Sequence, residues 1–230
     1  MTVSDDTRWH RFDSADAVAQ AAAARIYSAA EEAIAERGRF RVVLAGGTTP
    51  KAAYTLLREM PAQWAEWFVY FGDERCLPPD DPQRNSVMAC EAWLAHVPIP
   101  PAQIFAIPAE QGPEEGAQHY ASVVDGAIPF DLVLLGMGED GHTASLFPGQ
   151  PLDESALVVA VHDAPKPPPA RISLGLGALN TGREVLILVT GAGKQAAVRR
   201  WRAGESLPVA RVQGQDGADV YLDAAAWSAE

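Results

Sequence analysis

Short apolar runs alternate along this chain with longer segments of helical period. An alanine-rich segment with charged ends predicts a helix over residues 13–37, with Ser14 or Asp13 as N-cap and Gly38 just past its end. A strand over 40–45 leads through Gly46-Gly-Thr-Thr-Pro50 into a helix reaching about Met60, and a second strand over 67–71 ends at Gly72-Asp-Glu-Arg75. Beyond the proline-rich loop 77–82, the pattern predicts a helix over 84–96, a strand over 104–107 and a helix over 113–125. Strands over 131–135, 157–161, 171–174 and 184–189 follow, then a helix over 191–203 and two short strands over 209–212 and 219–222. Strands alternating with helices indicate βαβ units and a mainly parallel sheet flanked by helices, an α/β class. Without a repeat, low-complexity tract or linker, residues 1–230 are expected to form one α/β domain, with room for a small subdomain.

Composition narrows the partners more than the fold. Hydrophobic residues make up 48% of the 230, enough for a sizeable core. A formal net charge of −12 disfavours nucleic acid and anionic membrane as partners, so an anion would have to be held by a few cations gathered locally. Cys76 and Cys90 have no metal-ligand spacing, and two thiols in such a chain suggest a reducing compartment without a disulfide framework. Met1-Thr-Val-Ser-Asp-Asp6 lacks the basic start and apolar core of a secretory signal. No apolar run approaches the roughly 18 residues of a membrane span. A cytoplasmic location is expected.

Three polar, glycine-rich loops each follow an apolar strand, at 46–50, 72–75 and 136–145. A parallel sheet places such loops along one edge, where open α/β sheets bind ligands. The third loop, Gly136-Met-Gly-Glu-Asp140-Gly-His142, sets a histidine one residue beyond an aspartate. Histidine exchanges protons near neutral pH, so His142 is a candidate general base and Asp140 the group that orients it. A loop aspartate also caps its own backbone, which is the alternative for Asp140. Gly136-Met-Gly-Glu-Asp-Gly141 formally matches a dinucleotide fingerprint, but Pro148, Gly149 and Pro151 follow too soon for the helix that fingerprint needs. Gly46-Gly47-Thr48-Thr49-Pro50 fits an anion cradle and equally a plain strand-to-helix turn capped by threonine. Arg75, Arg171 and Lys194 are the cations best placed to neutralise a phosphate, whereas Arg199, Arg200 and Arg202 fit a solvated helix face. His10, His96, His119 and His162 have no comparable surroundings and are read as surface or packing residues.

At these residues the chain resembles the 6-phosphogluconolactonases over essentially its whole length. The resemblance rests on Ala45-Gly-Gly-Thr-Thr-Pro50, Phe71-Gly-Asp-Glu-Arg75, 136–149, Ala164-Pro-Lys-Pro-Pro-Pro-Ala-Arg171 and Gly191-Ala-Gly-Lys194. It implies a Rossmann-like fold similar to glucosamine-6-phosphate deaminase and ribose-5-phosphate isomerase. It also implies hydrolysis of 6-phospho-D-glucono-1,5-lactone without a metal or organic cofactor. By that resemblance His142 activates water and Asp140 orients it. Gly46, Gly47, Thr48, Thr49, Arg171 and Lys194 hold the phosphate, Arg75 lines the pocket as a catalytic residue that either polarises the lactone or contacts the phosphate, and Asn85 and Lys166 are further pocket positions. The related deaminases continue after the histidine with Ile-Ala-Phe-Asn-Glu-Pro; Leu146 and Phe147 stand here in place of that asparagine and the proton-relaying glutamate. A non-catalytic sugar-phosphate-binding module is the other alternative, disfavoured because no basic segment for DNA accompanies it. A monomer or weak homodimer is expected.

Overall fold

Residues 6–227 are described by a computed structural model. The secretory-signal reading rests on residues 1–6, of which 1–5 lie outside the described residues. In chain order the elements are β1 (Thr7–Phe12), α1 (Ala15–Arg37), β2 (Phe40–Leu44), α2 (Thr48–Leu57), β3 (Trp67–Phe71), β4 (Asp73–Arg75), α3 (Asn85–Ala92) and β5 (Ile104–Phe105). They continue with α4 (Pro113–Asp125), β6 (Leu132–Gly136), β7 (Val158–Val161), β8 (Arg171–Leu174), α5 (Leu176–Leu179), β9 (Glu184–Val189), α6 (Gln195–Arg202) and β10 (Ala218–Asp223).

Ser14, rather than Asp13, caps α1: its Oγ accepts from the Ala17 N–H at 3.2 Å. Gly38 closes the helix with φ 70°, a left-handed conformation that glycine adopts without a Cβ penalty. The buried face of α1 runs Val18, Ala19, Ala22, Ala23, Ile26, Ala29, Ala30 and Ala33, small side chains at helical spacing.

All pairings in the seven-stranded sheet are parallel, in the order β1-β10-β9-β6-β2-β3-β5. From β2 the chain steps one way through β3 and β5, and from β6 the other way through β9 and β10. The loops leaving β2 and β6 therefore diverge, and a crevice opens at the carboxyl ends of those two neighbouring strands. The sheet's strands read as apolar runs because both faces are covered, as Leu132–Leu135 and Val185–Val189 illustrate.

Several expectations are corrected. Residues 72–75 are not simply a loop: after Gly72 the chain re-enters a strand, β4, which pairs antiparallel with β8. With β7 they form a separate three-stranded sheet, order β4-β8-β7. Gly72 joins the two sheets, its N–H donating to Leu44 O at 2.9 Å and its carbonyl accepting from the Leu174 N–H at 2.7 Å. β1 was not expected; it is a half-exposed edge strand paired only with β10. The strand expected over 209–212 is a 3-10 turn, Pro208–Arg211, because Pro208 fixes φ and starts a helical turn. Trp93 leaves helical geometry at φ −149°, ψ −58° and buries its ring, ending α3 before a 3-10 turn at Leu94–His96. The helix expected from 191 begins as a 3-10 turn, Ala192–Lys194. The strand at 104–107 shrinks to two residues on the sheet edge, α2 stops at Leu57, and α4 has its expected bounds. Among the described residues no helix is long and apolar enough to cross a membrane.

Tyr54, fully buried on α2, fixes the first loop. Its hydroxyl donates to Ala45 O at 2.9 Å and accepts from the Ala45 N–H at 3.0 Å. Tyr54→Phe strips both partners from a buried backbone and is expected to lower unfolding free energy by about 1–3 kcal/mol. Urea denaturation of both proteins checks this, and an unchanged midpoint would show that water replaces the hydroxyl.

Candidate active site

The crevice holds a cavity of about 430 Å³. Its walls come from the loops after β2 and β6, from β4 and the start of α3, from the proline-rich strap before β8, and from the turn before α6. It gathers Gly46, Gly47, Arg75, Asn85, His142, Lys166, Arg171 and Lys194 from the sequence reading, together with Asp73, Met137, Gly138 and Ala144. His10, His96, His119 and His162 are exposed and do not line it, and Arg199, Arg200 and Arg202 are exposed as expected.

His142 faces the cavity with Asp140 behind it. Asp140 Oδ1 lies 2.5 Å from His142 Nδ1 and also accepts from the His142 backbone N–H at 3.1 Å. The loop aspartate thus caps the backbone and orients the ring at once. Burial raises the Asp140 pKa, but the His142 N–H and the imidazole outweigh it and hold the carboxyl below its ordinary value. An ionised Asp140 accepts from Nδ1–H, which leaves Nε2 as the nitrogen with a free lone pair. Gly138 makes the contact possible: a Cβ there would lie 2.0 Å from His142 Nδ1 and 2.6 Å from Asp140 Oδ1. The imidazole also packs against the Phe147 ring, tilted by 45° with centroids 4.7 Å apart.

Four cations, Arg75, Lys166, Arg171 and Lys194, line the same cavity. Among the described residues none of them forms an ion pair, although most of the other arginines that pair do so with surface carboxylates. Arg75 and Arg171 are cross-strand neighbours on β4 and β8. Burial lowers the Arg171 pKa, with Arg75 adding to that and Asp73 opposing it, yet an arginine stays charged. Its Nε donates to Pro168 O at 3.0 Å and Nη2 to Lys166 O at 2.7 Å, so Arg171 also pins the proline strap. Arg75 Nη1 donates to Gln83 O at 2.5 Å and Asn85 Oδ1 at 3.1 Å. Lys194 is half-buried, and burial pushes its ammonium down; Glu139 opposes the shift and Lys166 adds to it.

The first loop starts α2 without a capping side chain, leaving its leading N–H groups for a ligand or water. Gly47 supplies a φ of 108° there, and Gly46 lies so close to Asn85 that a Cβ would come within 2.0 Å of Asn85 Oδ1. Two expected residues stand apart from the main cavity. Thr48 lines an adjoining cavity of about 280 Å³ with Lys51 and Met88. The Thr49 hydroxyl is 2.6 Å from Thr190 Oγ1 and ties α2 to the end of β9.

Sequence motifs alone do not mark Ser145 and Asp73 as partners at the site. Both are buried, and Ser145 Oγ donates to Asp73 Oδ2 at 2.6 Å. Their partnership spans 72 residues and leaves no local signal. Two backbone amides of the His142 loop are engaged within it: Gly138 N–H donates to His142 O at 2.8 Å and Gly141 N–H to Gly138 O at 3.1 Å.

Residues 13–221 match the family described as glucosamine-6-phosphate isomerases/6-phosphogluconolactonase. The chain belongs to that family. The 6-phosphogluconolactonase of Mycobacterium tuberculosis is 40% identical over 234 residues, covering 92% of this chain and 94% of that one. The crystal structure of 6-phosphogluconolactonase from Thermotoga maritima superposes with a TM-score of 0.86 at 27% identity, over 94% of this chain and 99% of that one. A monomeric glucosamine-6-phosphate deaminase has the same fold, TM-score 0.83, at 21% identity over 95% of this chain and 98% of that one. The expected Rossmann-like α/β architecture is therefore the observed one.

The short Asp140–His142 contact is expected to give a strongly downfield imidazole N–H proton resonance. Gly138→Ala drives a methyl into both partners and should abolish that resonance while the protein stays folded. Its persistence would show that the loop absorbs the methyl without moving the pair.

Proposed function

We propose that this protein hydrolyses 6-phospho-D-glucono-1,5-lactone to 6-phospho-D-gluconate, the lactonase step of the oxidative pentose phosphate pathway. The observation that carries the reading is the pairing of an oriented imidazole with four cations lacking carboxylate partners, inside one cavity of a protein of net charge −12. Relatives named 6-phosphogluconolactonase align over almost the whole chain and support it.

In this mechanism His142 Nε2 takes a proton from a water as its oxygen attacks C1 of the lactone. The tetrahedral oxyanion then collapses, the bond from C1 to the ring oxygen breaks, and that oxygen takes the proton back from the imidazolium. Asp140 keeps Nδ1 protonated and steadies the imidazolium between the two transfers. A positioned base of this kind contributes about 10²–10⁴-fold. The phosphate is held by Arg171, Lys194 and the leading N–H groups of α2 at Gly47, Thr48 and Thr49, with Gly46 giving it room. Lys166 and Asn85 complete the wall, and Arg75 faces the lactone carbonyl. Binding energy from the phosphate positions C1 for attack. The chain acts as one α/β unit over 1–230, supported by a hydrophobic cluster that includes Ile172 and Leu174 of the small sheet with the main sheet. A cytoplasmic setting fits the free thiols of Cys76 and Cys90.

Deamination of glucosamine 6-phosphate is disfavoured, since Phe147, buried between His142 and Arg171, offers no carboxylate for proton relay. Purified protein is expected to accelerate lactone hydrolysis, followed as acid release, and to release no ammonia from glucosamine 6-phosphate. Ammonia release without lactone hydrolysis would overturn the assignment.

Lys194 also makes the affinity pH-dependent. Burial lowers its pKa in the free enzyme, and a bound phosphate dianion raises it again, so binding takes up a proton. KM is expected to rise as pH climbs through the depressed Lys194 value, below the ordinary lysine range. Lys194→Ala should raise KM at neutral pH and flatten that rise. A KM unchanged by both Lys194→Ala and Arg171→Ala would place the phosphate elsewhere.

A further inference from the structure

Among the described residues Asp73 is the one carboxylate lining the cavity, and the mechanism above gives it no task. It is 8% exposed. Each of its oxygens already accepts a hydrogen bond: Oδ1 from Asn85 Nδ2 at 3.0 Å and Oδ2 from Ser145 Oγ at 2.6 Å. Asn85 Nδ2 also donates to the Asp73 carbonyl at 2.9 Å, and Asn85 Oδ1 accepts from Arg75 Nη1 at 3.1 Å. One arm of the Asp73 carboxylate therefore runs through Asn85 to the Arg75 guanidinium.

The other arm runs to the loop that carries the base. Ser145 lies three residues beyond His142 in a tight turn closed by the Leu146 N–H donating to Thr143 O at 2.9 Å. Inside that turn Ala144 takes φ 47°, a left-handed conformation that is strained for a non-glycine residue and persists only where its surroundings enforce it. Ser145 is fully buried; its backbone N–H donates to Ser173 Oγ at 3.1 Å while its hydroxyl reaches Asp73. Both tethers pull the turn onto the small sheet.

We infer that Asp73 is a positioning residue that fixes the His142 loop relative to the Arg75 guanidinium, by holding Ser145 with one oxygen and Asn85 with the other. The inference rests on the lactonase reading for its rate prediction, but the geometry it claims stands apart from any substrate. Asp73 moves no proton. It sets the spacing between the group that activates water and the cation facing the carbonyl. A misplacement of about 1 Å in such a pair costs on the order of 10²-fold in rate.

The test is a double-mutant cycle with Asp73→Asn and Ser145→Ala. Each single variant is expected to lower kcat, Asp73→Asn by about 10²-fold and Ser145→Ala by less, with KM changed under about threefold. The double variant should be no slower than Asp73→Asn, because both changes cut the same arm. The pH dependence of kcat/KM should keep its shape at a lower level. Three results would overturn the inference: wild-type kcat in Asp73→Asn, losses that multiply in the double variant, or disappearance of one limb of the pH profile, which would make Asp73 a proton-transfer group. Should Asp73→Asn not fold, Ser145→Ala alone decides, since unchanged kcat there contradicts the tether. A readout independent of turnover is the imidazole NMR spectrum of His142, expected to shift in Ser145→Ala and Asp73→Asn. If wild type fails to hydrolyse the lactone, the functional reading falls, while unshifted His142 resonances would separately sink the positioning role.

Discussion

Like charges held together without a direct carboxylate partner are the constraint on which the rest of this structure depends. Arg75, Lys166, Arg171 and Lys194 share one cavity, and burial plus mutual repulsion lowers the proton affinity of Arg171 and Lys194. Such an arrangement opposes folding and is relieved when an anion arrives. The fold supports it by placing each cation on a rigid element: Arg75 and Arg171 on paired strands, Lys194 at the turn into α6, and Lys166 on a strap that Arg171 itself pins. Preorganisation of this kind is what a doubly charged phosphate needs in a protein whose overall charge repels it.

Against that cationic wall the base sits on a loop of its own. The crevice exists because strand order reverses between β2 and β6, and the two loops leaving those strands carry different tasks. Close approach of backbone to side chain recurs on both. Gly138 leaves space for the His142–Asp140 pair and Gly46 leaves space for Asn85, so each glycine serves a neighbour's side chain rather than its own backbone freedom. Asp73 lies between the two halves, in reach of both.

Much of this was legible in the sequence, for definite reasons. Long, strongly periodic or wholly apolar segments such as α4 and β3 carried their own boundaries, and Ser14 and Gly38 announced the ends of α1. The half-exposed edge strand β1 gave no such signal, because only one neighbour, β10, makes it a strand. β4 has three residues and is defined by its distant partner β8. Residues 209–212 looked like a strand by side-chain type, yet Pro208 decided the backbone. At the site, motif residues on one loop were legible and long-range partnerships were not. His142 and Asp140 are two apart and could be read together, while Thr49 finds Thr190 across 141 residues and Asp73 finds Ser145 across 72.

The central claim is that the group performing the chemistry and the groups holding the substrate are separate. Calorimetric binding of 6-phosphogluconate to His142→Ala, alongside its rate of 6-phosphogluconolactone hydrolysis, tests that most directly. The account predicts that hydrolysis falls by about 10²–10⁴-fold while the product binds with nearly wild-type affinity. Wild-type turnover in His142→Ala, or loss of binding together with turnover, would contradict it.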